Sequence, residues 1–522
     1  MAFIIGLDFG NWFSYPCYIC DIGGSGGRLG NRPKDLLPNN RPNDNGFPSV
    51  FFYSKAAAEK CTDPKRRPPW FGYEAMRRKA TPADHRVRGL KRKMGQPLQL
   101  DDWGGGVDEA ITLLIQYLVR EANKVLQTEE MTTTNQLSLA YPATFNTAQV
   151  LHLRDLAQKA TLEDGRRITV VGMIAEPAAG ALDYLAEHGR TDRDYTVLTY
   201  DLGGGTFDLA VVTAYPGGKK SVDGRVYYYD VEKTGGLAKL GGCDFDREMA
   251  ALMRRKAPKN VRFDEEKLMA DAENAKIELT DSTETDISII ATDSRAVELT
   301  VTRDEFERAV APLTRQTIEE TRRVLAEYAT TGKPAPEFIV LTGGASQMPV
   351  IKRELEKNFP QFRGKVACYR PSKAISYGAA RYGTPVVANN VQMRVRYDLG
   401  IRLFRRNSDK MFVEVLVPAG SVLPFTSKDH FSETRTEGQT SALFTVMEGR
   451  IDNPDPDKVD TDFRSIAWVS LEFGRKVPKA TACVSHLVID KNGLLTIEAD
   501  ESDDSAGTKP VSVSCRLENI VD

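Results

Sequence analysis

The chain has 522 residues, of which 27% are charged and 41% hydrophobic, with 70 Lys plus Arg against 72 Asp plus Glu and a formal net charge of −2. That length excludes a single small module and allows three or four core-forming units at about 150 residues each, and the composition excludes a disordered or fibrous chain. The near-neutral balance gives no reason to expect nucleic acid or an anionic membrane as a partner, since both call for a concentrated basic surface.

Residues 3–7 form a short, Ile-rich apolar run stopped by Asp8-Phe9-Gly10, the pattern of a strand and a tight turn. This opening lacks a basic leader, and no later stretch nears the roughly 18 apolar residues of a spanning helix, so a cytoplasmic location is expected. Cys17 and Cys20 form a C-x-x-C with no second pair nearby, which reads as thiols on a strand rather than a zinc site. Residues 23–45, dense in Gly, Asn and Pro, read as a surface loop. The basic run His85 through Lys93 has no interleaved aromatics and reads as a solvated face. Gly104-Gly105-Gly106 lacks the Lys and Ser/Thr of a Walker turn and reads as a flexible connection.

Helical spacing over 105–126 and 148–159 flanks an apolar strand at 136–140, the alternation of a layered α/β domain. Residues 197–205 then repeat the opening pattern, Val-Leu-Thr-Tyr-Asp-Leu-Gly-Gly-Gly, about 190 residues after its first copy, so two related halves are expected. Helix formers fill 244–255 and 264–279. A long helix is predicted over 302–328, with Thr302 as N-cap and Glu305 three residues on. The strand 338–341 stops at Thr342-Gly343-Gly344. Past Pro385 the texture changes: residues 411–418, 441–447, 467–473 and 484–497 are β-rich, and clusters of turn residues separate them. Residues 432–439 read as a further loop, and Asn492-Gly493 is a hairpin turn signal.

A strand that ends in Asp-x-Gly sets a carboxylate beside backbone amides that glycine lets a ligand approach. Two such turns in opposition can cradle a polyphosphate, while Asp8 and Asp201 hold a hydrated Mg²⁺. Gly343-Gly344-Ala345-Ser346 suits close packing under a base or ribose. One strand ending at glycine is an ordinary turn; three in order, each with its own strand, are not.

These residues carry a family resemblance. Ile4-Ile5-Gly6-Leu7-Asp8-Phe9-Gly10, Asp201-Leu202-Gly203-Gly204-Gly205-Thr206-Phe207-Asp208, Glu176-Pro177-Ala178-Ala179-Gly180 and Leu341-Thr342-Gly343-Gly344 resemble the phosphate, connecting and adenosine motifs of the Hsp70 chaperones, in the actin-like ATPase superfamily. Tyr141-Pro142-Ala143-Thr144, Leu240-Gly241-Gly242-Cys243-Asp244-Phe245-Asp246 and Ala275-Lys276-Ile277-Glu278-Leu279 support it. The β-rich remainder resembles the family's substrate-binding sandwich more loosely. The fold implied is α/β, a duplicated actin/Hsp70-like (ribonuclease H-like) nucleotide-binding domain over 1–385, a linker over 386–397, and an all-β sandwich over 398–522 with no helical lid.

The resemblance implies ATP or ADP with Mg²⁺ as cofactors. Asp8, Asp201 and Asp208 would arrange the metal. Glu176, Asp201 and Thr206 would carry the hydrolytic chemistry. Gly10, Asn11, Trp12, Gly203, Gly204, Gly205, Thr206, Gly241 and Gly242 would lie around the phosphates, and Glu273, Lys276, Thr280, Gly343, Gly344 and Ser346 would hold the adenosine. An extended or unfolded polypeptide is the implied partner of the sandwich, with a co-chaperone or exchange factor besides.

The chain also departs from the family pattern. Asn11 and Trp12 stand in place of two threonines. An ungapped alignment from Phe71 to Gly95 puts Met76 where the family carries its catalytic lysine, so ATP binding with slow or impaired hydrolysis is expected. Pro142 matches the family's switch proline, but Val150 stands at its relay arginine, and residues 389–396 alternate apolar and basic side chains. The leading function is a nucleotide-regulated, chaperone-type polypeptide binder. The alternative is a non-hydrolysing, nucleotide-dependent scaffold for a dedicated partner.

Overall fold

The computed structural model describes residues 2–21, 32–36, 46–61, 69–78, 85–96, 99–100, 103, 105–221, 224–404, 411–449, 463–490, 493, 495–502 and 512–516. Two compact units emerge, one of Met1–Phe145 with Leu153–Val391 and one of Asn146–His152 with Gln392–Asp522.

The first unit is built on two sheets of the same plan. In one, Ala2–Asp8 lies between its antiparallel neighbour Phe13–Asp21 and the parallel strand Gln136–Tyr141, beyond which Thr169–Ala175 continues in parallel. In the other, Tyr195–Leu202 lies between antiparallel Phe207–Lys220 and parallel Phe338–Thr342, with Val366–Cys368 beyond. The duplication expected from the two Asp-Gly turns is therefore a duplication of topology. Val226–Leu237 extends the second sheet. Of the linker expected over 386–397, residues 386–390 belong to the helix Pro385–Asn390.

Each sheet has its own apolar core. Ile5, Leu7, Leu137 and Leu139 pack with Ile111, Leu114 and Leu118 of the helix Val107–Glu129, whose apolar residues recur at helical spacing. Leu198, Tyr200, Leu209 and Ile339 pack with Phe245, Met249 and Leu268 of the helices that follow the second sheet. Between the halves, the helices Glu176–His188 and Ala374–Gly383 touch through small residues: a Cβ on Gly378 would lie 1.8 Å from the Ala179 carbonyl oxygen. No larger residue fits that approach.

Local signals behave as expected where they are self-contained. Thr302 caps the helix Arg303–Ala329, with its hydroxyl accepting from the Glu305 amide and the Glu305 carboxylate accepting from the Thr302 amide. Gly105–Gly106 is not a flexible connection; it pairs with Gln99–Leu100 and leads into a helix. The loop proposed over 23–45 falls mostly outside the described residues, but Lys34–Asp35 within it pairs with Phe13–Asp21. Of 432–439, Ser432 and Glu433 belong to the strand His430–Glu433, and Gln439 opens the next strand.

The second unit is an antiparallel sandwich. One sheet runs Met411–Val417, Asp398–Phe404, Gln439–Gly449, Phe463–Val477; the other runs Phe425–Thr426, Ala482–Ile489, Leu495–Glu501, Ser512–Arg516, with His430–Glu433 also pairing with Ala482–Ile489. Leu399, Ile401, Val446, Leu471, Leu487 and Ile497 fill the space between them. No helix among the described residues is long and apolar enough to cross a membrane.

Candidate functional site: an acidic cleft between glycine turns

The strand Ala2–Asp8 delivers Asp8 to its carboxyl end, and the chain turns back at once into Phe13. Gly10 makes this turn possible, because a Cβ there would lie 2.0 Å from the Phe13 carbonyl oxygen. In the second sheet, Asp201 and Asp208 sit opposite each other across the hairpin whose turn is Gly203 to Thr206. Glu176 comes from the first turn of the helix Glu176–His188. The third glycine turn has Gly343 at φ 80°, with its amide bonded to the Pro371 carbonyl at 2.9 Å.

These elements surround a cavity of about 220 Å³. Its walls include Asp8, Gly10, Asn11, Trp12, Glu176, Asp201, Gly203, Gly204, Gly205, Thr206, Gly242, Glu273, Lys276, Thr280, Gly343 and Gly344. Three of the sequence-derived residues stand behind the wall. Asp208 is fully buried and accepts the Thr144 amide at 3.0 Å. Gly241 backs Gly205, where a Cβ would come within 2.5 Å of its backbone. Ser346 turns its hydroxyl onto the Gly343 carbonyl at 2.7 Å.

A carboxylate oxygen from each of Glu176, Asp201 and Asp208 lies within 4.8 Å of the others, a group that can hold a metal ion. Asp8 faces the same cavity but is not one of this trio. Burial and then the Glu176 charge push the Asp8 carboxyl up to about 7, against the pull of Lys91. Asp201 is raised for the same first reason, with Glu176, Asp208 and Asp8 adding repulsion and the Thr342 hydroxyl opposing them. Clustered buried carboxylates of this kind are stable as neighbours only when protonated or when a cation offsets them.

The alignment that put Met76 at the lysine position is overturned. Met76 is partly exposed and does not line the cavity, whereas Lys91 does, 3% exposed and ion-paired with Glu176. Its ammonium also lies 5.9 Å and 5.8 Å from the ring centroids of Phe9 and Phe145. The run from His85 to Lys93 is therefore not simply a solvated face. Arg92 reaches across to the second glycine turn, donating to the Gly205 carbonyl and pairing with Asp244 at 3.1 Å, while its own amide donates to Asn11 Oδ1 at 3.0 Å. Trp12 is a wall of the cavity and not a core residue.

On the opposite side, Lys276 pairs with Asp246 at 2.6 Å, both largely buried. Asp246, Cys243, Ile277, Gln347, Pro371 and Ser372 line the cavity without having been singled out. The supporting stretch Gly242-Cys243-Asp244-Phe245-Asp246 held the signal for the first two.

The model of the Hsp70 protein family matches residues 108–516. The chain belongs to the Hsp70 family. Its similarity extends to curated members: it is 29% identical over 379 residues to a chaperone protein DnaK of Anaplasma marginale, 27% over 376 to a chaperone protein HscA of Cronobacter sakazakii, and 28% over 376 to an HscA homolog of Colwellia psychrerythraea. Each alignment covers 70% of this chain and 54 to 55% of the relative, so the chain spans about half the length of the curated relatives it matches. Family membership accounts for the actin-like duplicated domain and for the sandwich that follows it.

Proposed function

We propose that this Hsp70-family protein is a chaperone-type polypeptide binder regulated by Mg·ATP and Mg·ADP in the cleft. The observation that carries the reading is the meeting of Lys91 with the carboxylates Glu176, Asp201 and Asp208 between two glycine turns. The donor set fits the group: backbone amides and a lysine for phosphate, carboxylates for a hard cation, and the Glu273, Lys276 and Thr280 helix against the Gly343 turn for adenosine.

A bound magnesium nucleotide would supply the phosphoryl group and the cation that offsets its charge. Asp8, Asp201 and Asp208 would hold the cation side, Glu176 would orient the attacking water, and Lys91 would offset charge on the phosphoryl oxygens. Thr206 and the amides of Gly203 to Gly205 would fix the phosphate chain. Slow turnover no longer has Met76 as its reason. What remains in its favour is Asn11 and Trp12, which bring no hydroxyl to the first turn, and Lys91 weighs against a purely non-hydrolysing scaffold.

The sandwich is the site proposed for an extended client segment, with the domain division at 385 and 398 and with a co-chaperone or exchange factor as further partners. Calorimetric titration of the whole chain with ADP and ATP, with and without Mg²⁺, tests the cleft. Dissociation of a fluorescent peptide from the same preparation, with and without nucleotide, tests the coupling. No heat with either nucleotide removes the cleft reading; peptide release indifferent to nucleotide removes the regulation.

A further inference from the structure

We infer that Trp12 sets the phosphate-number preference of the cleft, so that the site takes a nucleoside diphosphate in preference to a triphosphate. This inference rests on the nucleotide reading above and concerns only which nucleotide the cleft favours.

The indole lies between two turns. A Cβ on Gly204, in the middle of the second glycine turn, would lie 3.2 Å from Trp12 Cβ and 3.5 Å from its Cγ. A Cβ on Gly89, two residues before Lys91, would lie 3.4 Å from Trp12 Cζ3. The ring thus spans from the Gly204 backbone to the turn that carries Lys91, and it borders the cavity along the way. Its backbone is held: the Trp12 carbonyl accepts the Ser49 amide at 2.8 Å, and the preceding Asn11 carbonyl accepts the Gly89 amide at 3.2 Å. These bonds fix the backbone that carries the indole.

A third phosphate adds charge and acceptor oxygens beyond what a diphosphate presents. Each oxygen that loses water must find a donor or a cation, and an unmatched buried polar group is costly. An indole offers one donor on an otherwise apolar plane. Beside it, Asn11 brings no hydroxyl and turns Oδ1 to the Arg92 amide, and the Lys91 ammonium is shared with Glu176. A diphosphate that ends short of the indole would still have the amides of the glycine turns. Disfavouring one ligand through an apolar element costs the favoured ligand little, which is how such sites discriminate.

The test is calorimetric titration of the full chain, in Mg²⁺, with ADP and with β,γ-imido-ATP, for the wild type, Trp12→Thr and Trp12→Phe. The wild type is expected to bind ADP about tenfold or more tightly than the triphosphate analogue, a penalty of the size of one unmatched polar group. Trp12→Thr, which exchanges the plane for a hydroxyl, is expected to bring the two affinities within about threefold by gaining on the triphosphate. Trp12→Phe keeps an apolar plane and is expected to keep the preference. Equal wild-type affinities, or an equal loss for both nucleotides in Trp12→Thr, overturn the inference and leave the nucleotide cleft intact. Failure of the wild type to bind either nucleotide overturns both. Equal wild-type affinities overturn the inference even if a variant does not fold.

Discussion

Lys91 Nζ pairs with Glu176 Oε1 inside the cleft, the two side chains 2% and 8% exposed. A buried pair of this kind is retained at a desolvation cost that packing alone would not incur. On the function proposed, it places a positive charge where phosphoryl oxygens would arrive, beside the carboxylate proposed to orient water.

The pair separates two roles that the Met76 alignment confuses. Lys91→Ala should lower single-turnover ATP hydrolysis by about 10²- to 10³-fold, the usual loss of one positioned donor to a developing oxyanion, while nucleotide affinity changes little. Met76→Ala should leave both unchanged, because Met76 does not reach the cavity. Rapid-quench turnover with calorimetry on the same samples measures the split. A Lys91→Ala protein with full turnover would remove Lys91 from the chemistry.

The carboxylates predict a pH dependence for metal binding. Asp8 is raised to about 7 and Asp201 is raised as well, so the empty cleft carries protons that a cation must displace. Mg²⁺-dependent ADP affinity should therefore rise as pH rises through about 7, with proton release measurable as a buffer-dependent heat. Folding stability of the nucleotide-free protein has the opposite sign: a carboxyl raised from 3.8 stabilises the fold below about pH 4, and its contribution is lost as pH climbs to about 7. Asp201→Asn should weaken the proton release and the Mg²⁺ requirement together. A buffer-independent binding heat would contradict this account.

What could be read in the chain was local. Asp8, Asp201 and the Gly343 turn mark strand ends by residue type, and the Thr302 and Glu305 cap is complete within four residues. The duplicated turn told of a duplicated sheet. Lys91 was hidden because its distinction from Arg92 and Lys93 is tertiary: all three share one basic run, and only the packing of Leu90 and the reach of Glu176 single one out. Gly105–Gly106 and Ser432 with Glu433 were misjudged for a related reason. A short strand forms through its partner, and no residue type announces that partner in advance.

The small-residue contact under the site is a stability prediction. Gly378→Ala drives a methyl to 1.8 Å from the Ala179 carbonyl oxygen, an approach that backbone atoms cannot relieve without shifting a helix. The expected loss is about 1 to 3 kcal/mol or more, as for other overpacked cores, read as a lower denaturant midpoint. Gly344→Ala, whose added Cβ meets nothing within 4 Å, is the control and should fold with near wild-type stability.

The Asp246 and Lys276 pair makes a second, separable pH prediction. Burial raises Asp246 to about 6; Lys276 pulls it down, and Glu273 and Asp244 push it up. Above about 6 the carboxylate is charged and holds the Lys276 ammonium at 2.6 Å in the cavity wall. Below that value the hold weakens, and Lys276 is freer to leave the wall. Metal-free adenosine affinity should consequently fall as pH drops through about 6. Adenosine has no phosphate and does not engage the Asp8 and Asp201 carboxylates, so its profile isolates this pair from the metal-linked one. Asp246→Asn should flatten the adenosine profile at the low-pH affinity while leaving the proton release on Mg·ADP binding in place. An adenosine affinity level from pH 5 to 8 in the wild type would show that Lys276 holds its position without Asp246.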